Sequence, residues 1–199
     1  MHRPMLKKVL RESAVIGFML IGILAARSTL ADHYYVPSGS MEPTLLPGDR
    51  VLVDKRAHGF RLPFTTRRLI DGEPIQRGEI VIFDSPHDGK RLIKRIVAIG
   101  GDEVVIRDGH LFINGKPMAR NGDRLTEGFG QRSVRLNLTD GGGPDYGRVI
   151  PPGKLLAVGD HRGNSFDGRV FGLIDETDVY GRALGVYYRS GDGLTWQAL

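Results

Sequence analysis

The chain has 199 residues, no cysteine, and 28 Lys and Arg against 23 Asp and Glu. Without a thiol it can build no disulfide framework, no thiolate nucleophile and no Cys-ligated zinc or iron–sulfur centre. Of the formal charge of +5, the first 31 residues carry +4, so the body is nearly neutral and lacks the basic face of a nucleic-acid-binding domain.

Arg3, Lys7, Lys8 and Arg11 precede an unbroken apolar run from Ala14 to Ala26. That run is shorter than the roughly 20 residues a bilayer asks for. Leu10, Ser13, Ser28, Thr29, Leu30 and Ala31 can extend it, and Arg27 can reach the interface. The positive charge ahead of it orients such a span with the body across the membrane. A cleaved signal peptide ending near Ala31 fits the same composition. A buried helix of a soluble protein fits less well, because no amphipathic pattern is visible.

From Tyr34 onward, short β-branched and apolar runs alternate with Gly, Pro, Asn and Asp. Strands are expected at Arg50–Val53, Glu79–Phe83, Leu92–Ile99, Glu103–Ile106, Leu111–Ile113, Leu155–Val158 and Ala183–Tyr188. Asp108-Gly109 and Asn114-Gly115 are dipeptides that primed hairpin turns demand, since those turns need positive φ. No stretch after residue 31 offers two clean helical turns, so the body reads as all-β. Residues 119–150 are glycine-rich and polar, with one strand expected at Ser133–Leu138; they read as an excursion from the core, a lid or a surface loop. The Gly141–Gly143 run lacks the Lys, Ser/Thr and helix that a phosphate loop needs.

Three polar clusters punctuate the strands. In the first, Ser38-Gly39-Ser40 sits between Pro37 and Pro43, a restrained segment offering hydroxyls and backbone N–H groups; the plain alternative is a Ser/Gly linker. In the second, alternation sets Lys94 on a face with Leu92, Ile96 and Ala98. Such a lysine is either an edge-strand solubility device or a desolvated amine able to act as a base. A serine beside that amine is an alternative to a Ser-His-Asp triad. The third cluster, Gly159 to Arg169, is either a structured polar network, with Asp167 and Arg169 as an ion pair, or an ordinary loop.

Taken together the clusters resemble bacterial signal peptidase I, the membrane-anchored Ser-Lys endopeptidases. The resemblance rests on Pro37-Ser38-Gly39-Ser40-Met41-Glu42-Pro43-Thr44-Leu45, Gly48-Asp49-Arg50-Val51-Leu52-Val53, Gly78-Glu79-Ile80-Val81-Ile82-Phe83, Ile93-Lys94-Arg95-Ile96-Val97-Ala98 and Gly100-Gly101-Asp102. Gly159-Asp160 through Arg169, Gly172 and Gly181-Arg182-Ala183 follow in the family's order. It spans about residues 10–189.

The resemblance implies an antiparallel β-sheet catalytic core at 32–106 and 151–199, with a small inserted cap at 107–150. A basic cytoplasmic N-terminus at 1–12 and one transmembrane helix at 13–31 would precede them. It implies Ser40 as nucleophile, Lys94 as general base, and an oxyanion hole from the Ser38 hydroxyl and the Ser40 N–H. Ser165 would orient the lysine, and Asp160, Asp167, Arg169 and Arg95 would support the site. Tyr34, Val36, Pro37, Met41, Leu45, Val51, Leu92 and Ile93 would bind substrate, selecting small residues at the −1 and −3 positions. The implied partners are exported precursor proteins with signal peptides and the lipid bilayer, with no cofactor, metal or nucleic acid. The implied location is the bacterial inner (plasma) membrane, single-pass, N-terminus in the cytoplasm and catalytic domain on the outer, periplasmic side. The anchor would be retained, with clipping near Ala31 left open.

The chain departs from the family at His161 and Gly163, where many members have Asn and Asp, and at Gly168, where Ser is common. Three other readings stay open. One is a Ser-His-Asp hydrolase using His161 with Asp160 or Asp167. Another is a Ser-Lys peptidase dedicated to one substrate such as a conjugation pilin, and the third is a non-catalytic membrane-tethered β-domain.

Overall fold

The computed structural model describes residues 8, 11–20, 31–61, 68–120 and 122–199. Residues 11–20 are helical and expose Val15, Ile16, Phe18, Met19 and Leu20. Residues 21–30 of the expected anchor lie outside the described residues. Among the described residues no helix is long and apolar enough to cross a membrane.

The body is built of short strands: β1 (Ala31–Tyr35), β2 (Arg50–Asp54), β3 (Gly59–Arg61), β4 (Arg68–Asp71), β5 (Ile80–Asp84), β6 (Arg91–Ile99), β7 (Glu103–Arg107), β8 (His110–Ile113), β9 (Lys116–Pro117), β10 (Ala119–Arg120), β11 (Asp123–Phe129), β12 (Arg132–Arg135), β13 (Tyr146–Val149), β14 (Lys154–Val158), β15 (Ile174–Asp175), β16 (Val179–Arg189) and β17 (Gly193–Ala198). The largest sheet runs β1-β2-β16-β5-β6-β14-β15, with β17 also paired to β16, and its pairings are antiparallel. Smaller sheets run β13-β7-β8-β9, β10-β11-β12 and β3-β4.

Burial explains why β5 and β6 read as apolar runs instead of alternating. Ile80, Ile82 and Ile93 pack with Val36, Met41, Leu45, Val51 and Val186 in one buried cluster. Val81, Phe83 and Ile96 pack with Leu155, Ala157 and Ile174 in another. Both faces of the central strands are therefore covered, and each apolar side chain contributes by leaving water. A third cluster joins the end of β6 to the smaller sheets through Val97, Val104, Ile106, Leu111, Phe129 and Ile150.

The two expected hairpins form. Asp108 and Gly109 link β7 to β8 with φ of 49° and 79°, and Asn114 and Gly115 link β8 to β9 with 51° and 73°. The stretch 119–150 holds more strand than its glycines suggest. Besides β12, it contributes β10, β11 and β13, the last paired along β7 from Tyr146 to Val149. These strands are short and largely exposed, so their sequence carries little apolar alternation.

Candidate active site

Ser40 lies in a single 3-10 turn, Gly39–Met41, on the path from β1 to β2. Met41, buried beside Val36 and Leu45, pins that turn to the sheet from below. Ser38 precedes it in extended conformation and makes no side-chain capping bond. Its hydroxyl is directed at Ser40 Oγ, 3.4 Å away. The first N–H groups of such a turn have no intrahelical acceptor and are free to face a ligand.

Lys94 comes from β6, which is paired on both sides, with Val81 of β5 opposite Lys94. β14 pairs β6 only from Arg95 onward, and it is the burial of Lys94, 3% exposed, that removes the solubility explanation for this lysine. Its side chain is buried, and Nζ stands 2.5 Å from Ser40 Oγ. Burial pushes the Lys94 amine down to about 8 from 10.5; the charges of Asp167 and Asp160 oppose this and that of Arg169 adds to it.

The two acids are each held by an arginine of their own. Arg95 forks onto Asp160, Nε to Oδ1 at 2.8 Å and Nη2 to Oδ2 at 2.7 Å, and also donates to the Gly78 carbonyl. Thr44 Oγ1 donates to the same Asp160 carboxylate at 2.5 Å. Asp167 accepts from Arg169 Nε and Nη2 at 2.9 and 2.8 Å and from the Gly159 N–H at 3.0 Å. The Arg169 and Asp167 side chains are wholly buried. Because each carboxylate is already neutralised, desolvation dominates at Lys94.

Ser165 follows in the loop after β14. Its hydroxyl is buried and has no hydrogen-bond partner among the described residues. Gly159 makes room for it: a Cβ there would lie 2.3 Å from Ser165 Oγ and 2.4 Å from the Ser40 carbonyl oxygen. Of the expected substrate-binding residues, Val36, Met41, Leu45, Val51 and Ile93 share one buried cluster with Tyr34 packed against it. Pro37 is exposed beside them. Leu92 points to the opposite face, against the cluster of Val81, Phe83 and Ile96.

His161 does not approach Ser40 Oγ as a triad base. Its Nδ1 faces the Gly39 carbonyl at 3.2 Å, and its acidic neighbours are Asp140 and Glu42. Asp160 and Asp167 are committed to arginines instead. Among the described residues no group of three or more acids and histidines could hold a metal ion. Glu127 and Thr44 escaped the sequence reading. Glu127 sits in a polar stretch where nothing marks it as buried, and Thr44 lay within the serine block with only its proline spacing to commend it.

A family model described as "Signal peptidase, peptidase S26" matches residues 9–188. The signal peptidase I of Pseudomonas fluorescens is 32% identical over 196 residues, covering 85% of this chain and 69% of that protein. The signal peptidase I of Pseudomonas aeruginosa is 31% identical, over 92% of this chain and 75% of its own. The signal peptidase I of Bacillus licheniformis is 34% identical, over 88% of this chain and 86% of its own. The chain belongs to the signal peptidase family, the S26 peptidases.

Proposed function

We propose that the chain removes N-terminal signal peptides from exported precursor proteins, cutting after small residues of the Ala-x-Ala type with a Ser40–Lys94 dyad. The observation that carries this is the 2.5 Å approach of a desolvated Lys94 amine to Ser40 Oγ. The neutral amine takes the Ser40 hydroxyl proton as Oγ bonds to the scissile carbonyl carbon. The resulting ammonium returns that proton to the leaving amine as the C–N bond breaks, leaving an acyl-enzyme. Water then attacks the ester, giving its proton to Lys94, and Ser40 is released with its hydroxyl restored.

The Ser38 hydroxyl and the Ser40 N–H receive the oxyanion. Ser165, with an unengaged buried hydroxyl, orients the lysine. The arginine-neutralised acids Asp160 and Asp167 hold the floor of the site without recharging the base. An extended precursor segment adds beside β1 at the sheet edge, its small side chains against the Tyr34, Val36, Leu45, Val51 and Ile93 cluster.

The core would comprise 32–106 and 151–199, with 107–150 as a cap. The basic start and apolar run support an anchor at 13–31, N-terminus in the cytoplasm and body on the outer face of the inner membrane. The deciding experiment incubates the full chain in detergent with a precursor bearing an Ala-x-Ala site. Cleavage that is lost in Ser40→Ala and in Lys94→Ala supports the dyad. Equal cleavage by wild type and Ser40→Ala refutes it.

A further inference from the structure

His161 is buried and sits over the nucleophile's turn. Its Nδ1 lies 3.2 Å from the Gly39 carbonyl oxygen, which also accepts the Glu42 N–H at 3.0 Å. A carbonyl can only accept, so Nδ1 carries the proton in this contact. The backbone N–H of His161 in turn reaches the Ser40 carbonyl at 3.2 Å. One residue therefore touches the carbonyls on both sides of Ser40.

The ring is set from its far side. Nε2 lies 2.8 Å from Asp140 Oδ2, a close approach that is not aligned as a hydrogen bond, and Glu42 Oε2 stands 3.8 Å from Nδ1. Gly163 admits the strap that carries Asp140: a Cβ on Gly163 would lie 2.1 Å from the Asp140 carbonyl oxygen and 2.6 Å from that of Gly141. The two departures at 161 and 163 thus form one arrangement. The missing side chain at 163 lets the 140 strap dock, and the docked strap places a carboxylate on the ring at 161.

We propose that His161 is a positioning residue for the oxyanion hole. The Gly39–Ser40 peptide is planar, so its carbonyl and its N–H point in opposite directions and move as one body. Holding the carbonyl with His161 and the Glu42 N–H fixes where the Ser40 N–H points, and a hydrogen-bonded carbonyl strengthens its N–H as a donor. This rests on the reading of Ser40 as nucleophile and of its N–H as an oxyanion donor.

The test uses the full chain in detergent and an Ala-x-Ala precursor peptide. His161→Ala should lower kcat about tenfold with KM within about twofold, less than the 10²–10³ lost when a donor is deleted, because the N–H remains but is less well aimed. His161→Asn, whose amide can donate to the same carbonyl, should recover most of the rate. A peptide aldehyde, whose Ser40 adduct puts an oxyanion in the hole, should bind His161→Ala more weakly in step with kcat/KM, while the product peptide binds as before. A folded His161→Ala enzyme with wild-type kcat and aldehyde affinity overturns the proposal. If that variant does not fold, Asp140→Ala, at an exposed carboxylate, carries the test: a smaller kcat loss at constant KM supports it and an unchanged kcat overturns it. Ser40→Ala separates the two levels. Its inactivity beside a fully active His161→Ala fails only this inference, whereas an active Ser40→Ala fails the dyad itself.

Discussion

Arg162 forks onto Glu127 in the protein interior, Nη1 to Oε1 at 2.8 Å and Nη2 to Oε2 at 2.5 Å, with both side chains almost wholly buried. The pair ties the loop carrying Ser165 to β11, since Arg162 also donates to the Gly159 carbonyl and its own carbonyl accepts from Arg169 Nη2 at 2.7 Å. Removing one partner leaves an uncompensated buried charge, which costs about 3–5 kcal/mol, whereas replacing both by apolar groups is often neutral. Glu127→Ala should therefore lower the urea midpoint sharply, and Glu127→Ala with Arg162→Met should regain much of the loss. Simple additivity of the two single changes would contradict this account.

That pair also shows where sequence reading stops. Asp108-Gly109 and Asn114-Gly115 could be placed in advance because a primed turn is decided by two adjacent residues. Ser40 and Lys94 are 54 residues apart, yet each lies in a block whose residue order carries the resemblance. Glu127 has no such help: an acid among glycines looks solvated until Arg162, 35 residues later, is folded onto it. The same holds for β10, β11 and β13, which pair through backbone bonds that polar side chains do not announce. Lys94 itself is ambiguous in sequence, and its burial against Ser40 is what removes the solubility reading.

The rate should climb with pH. The active form of Lys94 is the neutral amine, and its value of about 8 means that kcat/KM falls about tenfold per pH unit below that point. At pH 7 about a tenth of the plateau remains, and the acidic limb should be centred near 8 in a profile taken on a precursor peptide. A profile flat from pH 6 to 9 would remove Lys94 from the base role. Lys94→Arg should be inactive throughout, since a guanidinium stays protonated.

Ser38 is exposed and its side chain caps nothing, so its removal should leave folding untouched. As an oxyanion donor it should matter a great deal: deleting one such donor typically costs about 2.7–4 kcal/mol of transition-state stabilisation. Ser38→Ala should thus lose about 10²–10³ in kcat with little change in KM and an unaltered melting temperature. A loss expressed mainly in KM would recast Ser38 as a substrate-binding residue.

The desolvated lysine also weakens the fold. Because its folded value lies below its unfolded one, the unfolded chain holds more protons between about pH 8 and 10.5, and this residue's contribution to stability rises with pH across that window. Below it, Lys94 is charged in both states and the native state carries the whole penalty, about 3 kcal/mol at roughly 1.4 kcal/mol per pH unit. Losing the contact with Ser40 offsets about 1 kcal/mol of what an apolar replacement gains. Lys94→Met should therefore be inactive yet more stable than wild type by about 2 kcal/mol at pH 7, as expected where a catalytic group is kept against the interest of the fold. Above pH 10.5 the wild-type amine is neutral folded or unfolded, so the penalty is gone and the lost Ser40 contact should leave Lys94→Met less stable than wild type by about 1 kcal/mol. Urea denaturation of both proteins at pH 7 and pH 10.5 checks the sign, and a Lys94→Met protein less stable than wild type at pH 7 would mean that the amine is not desolvated as described.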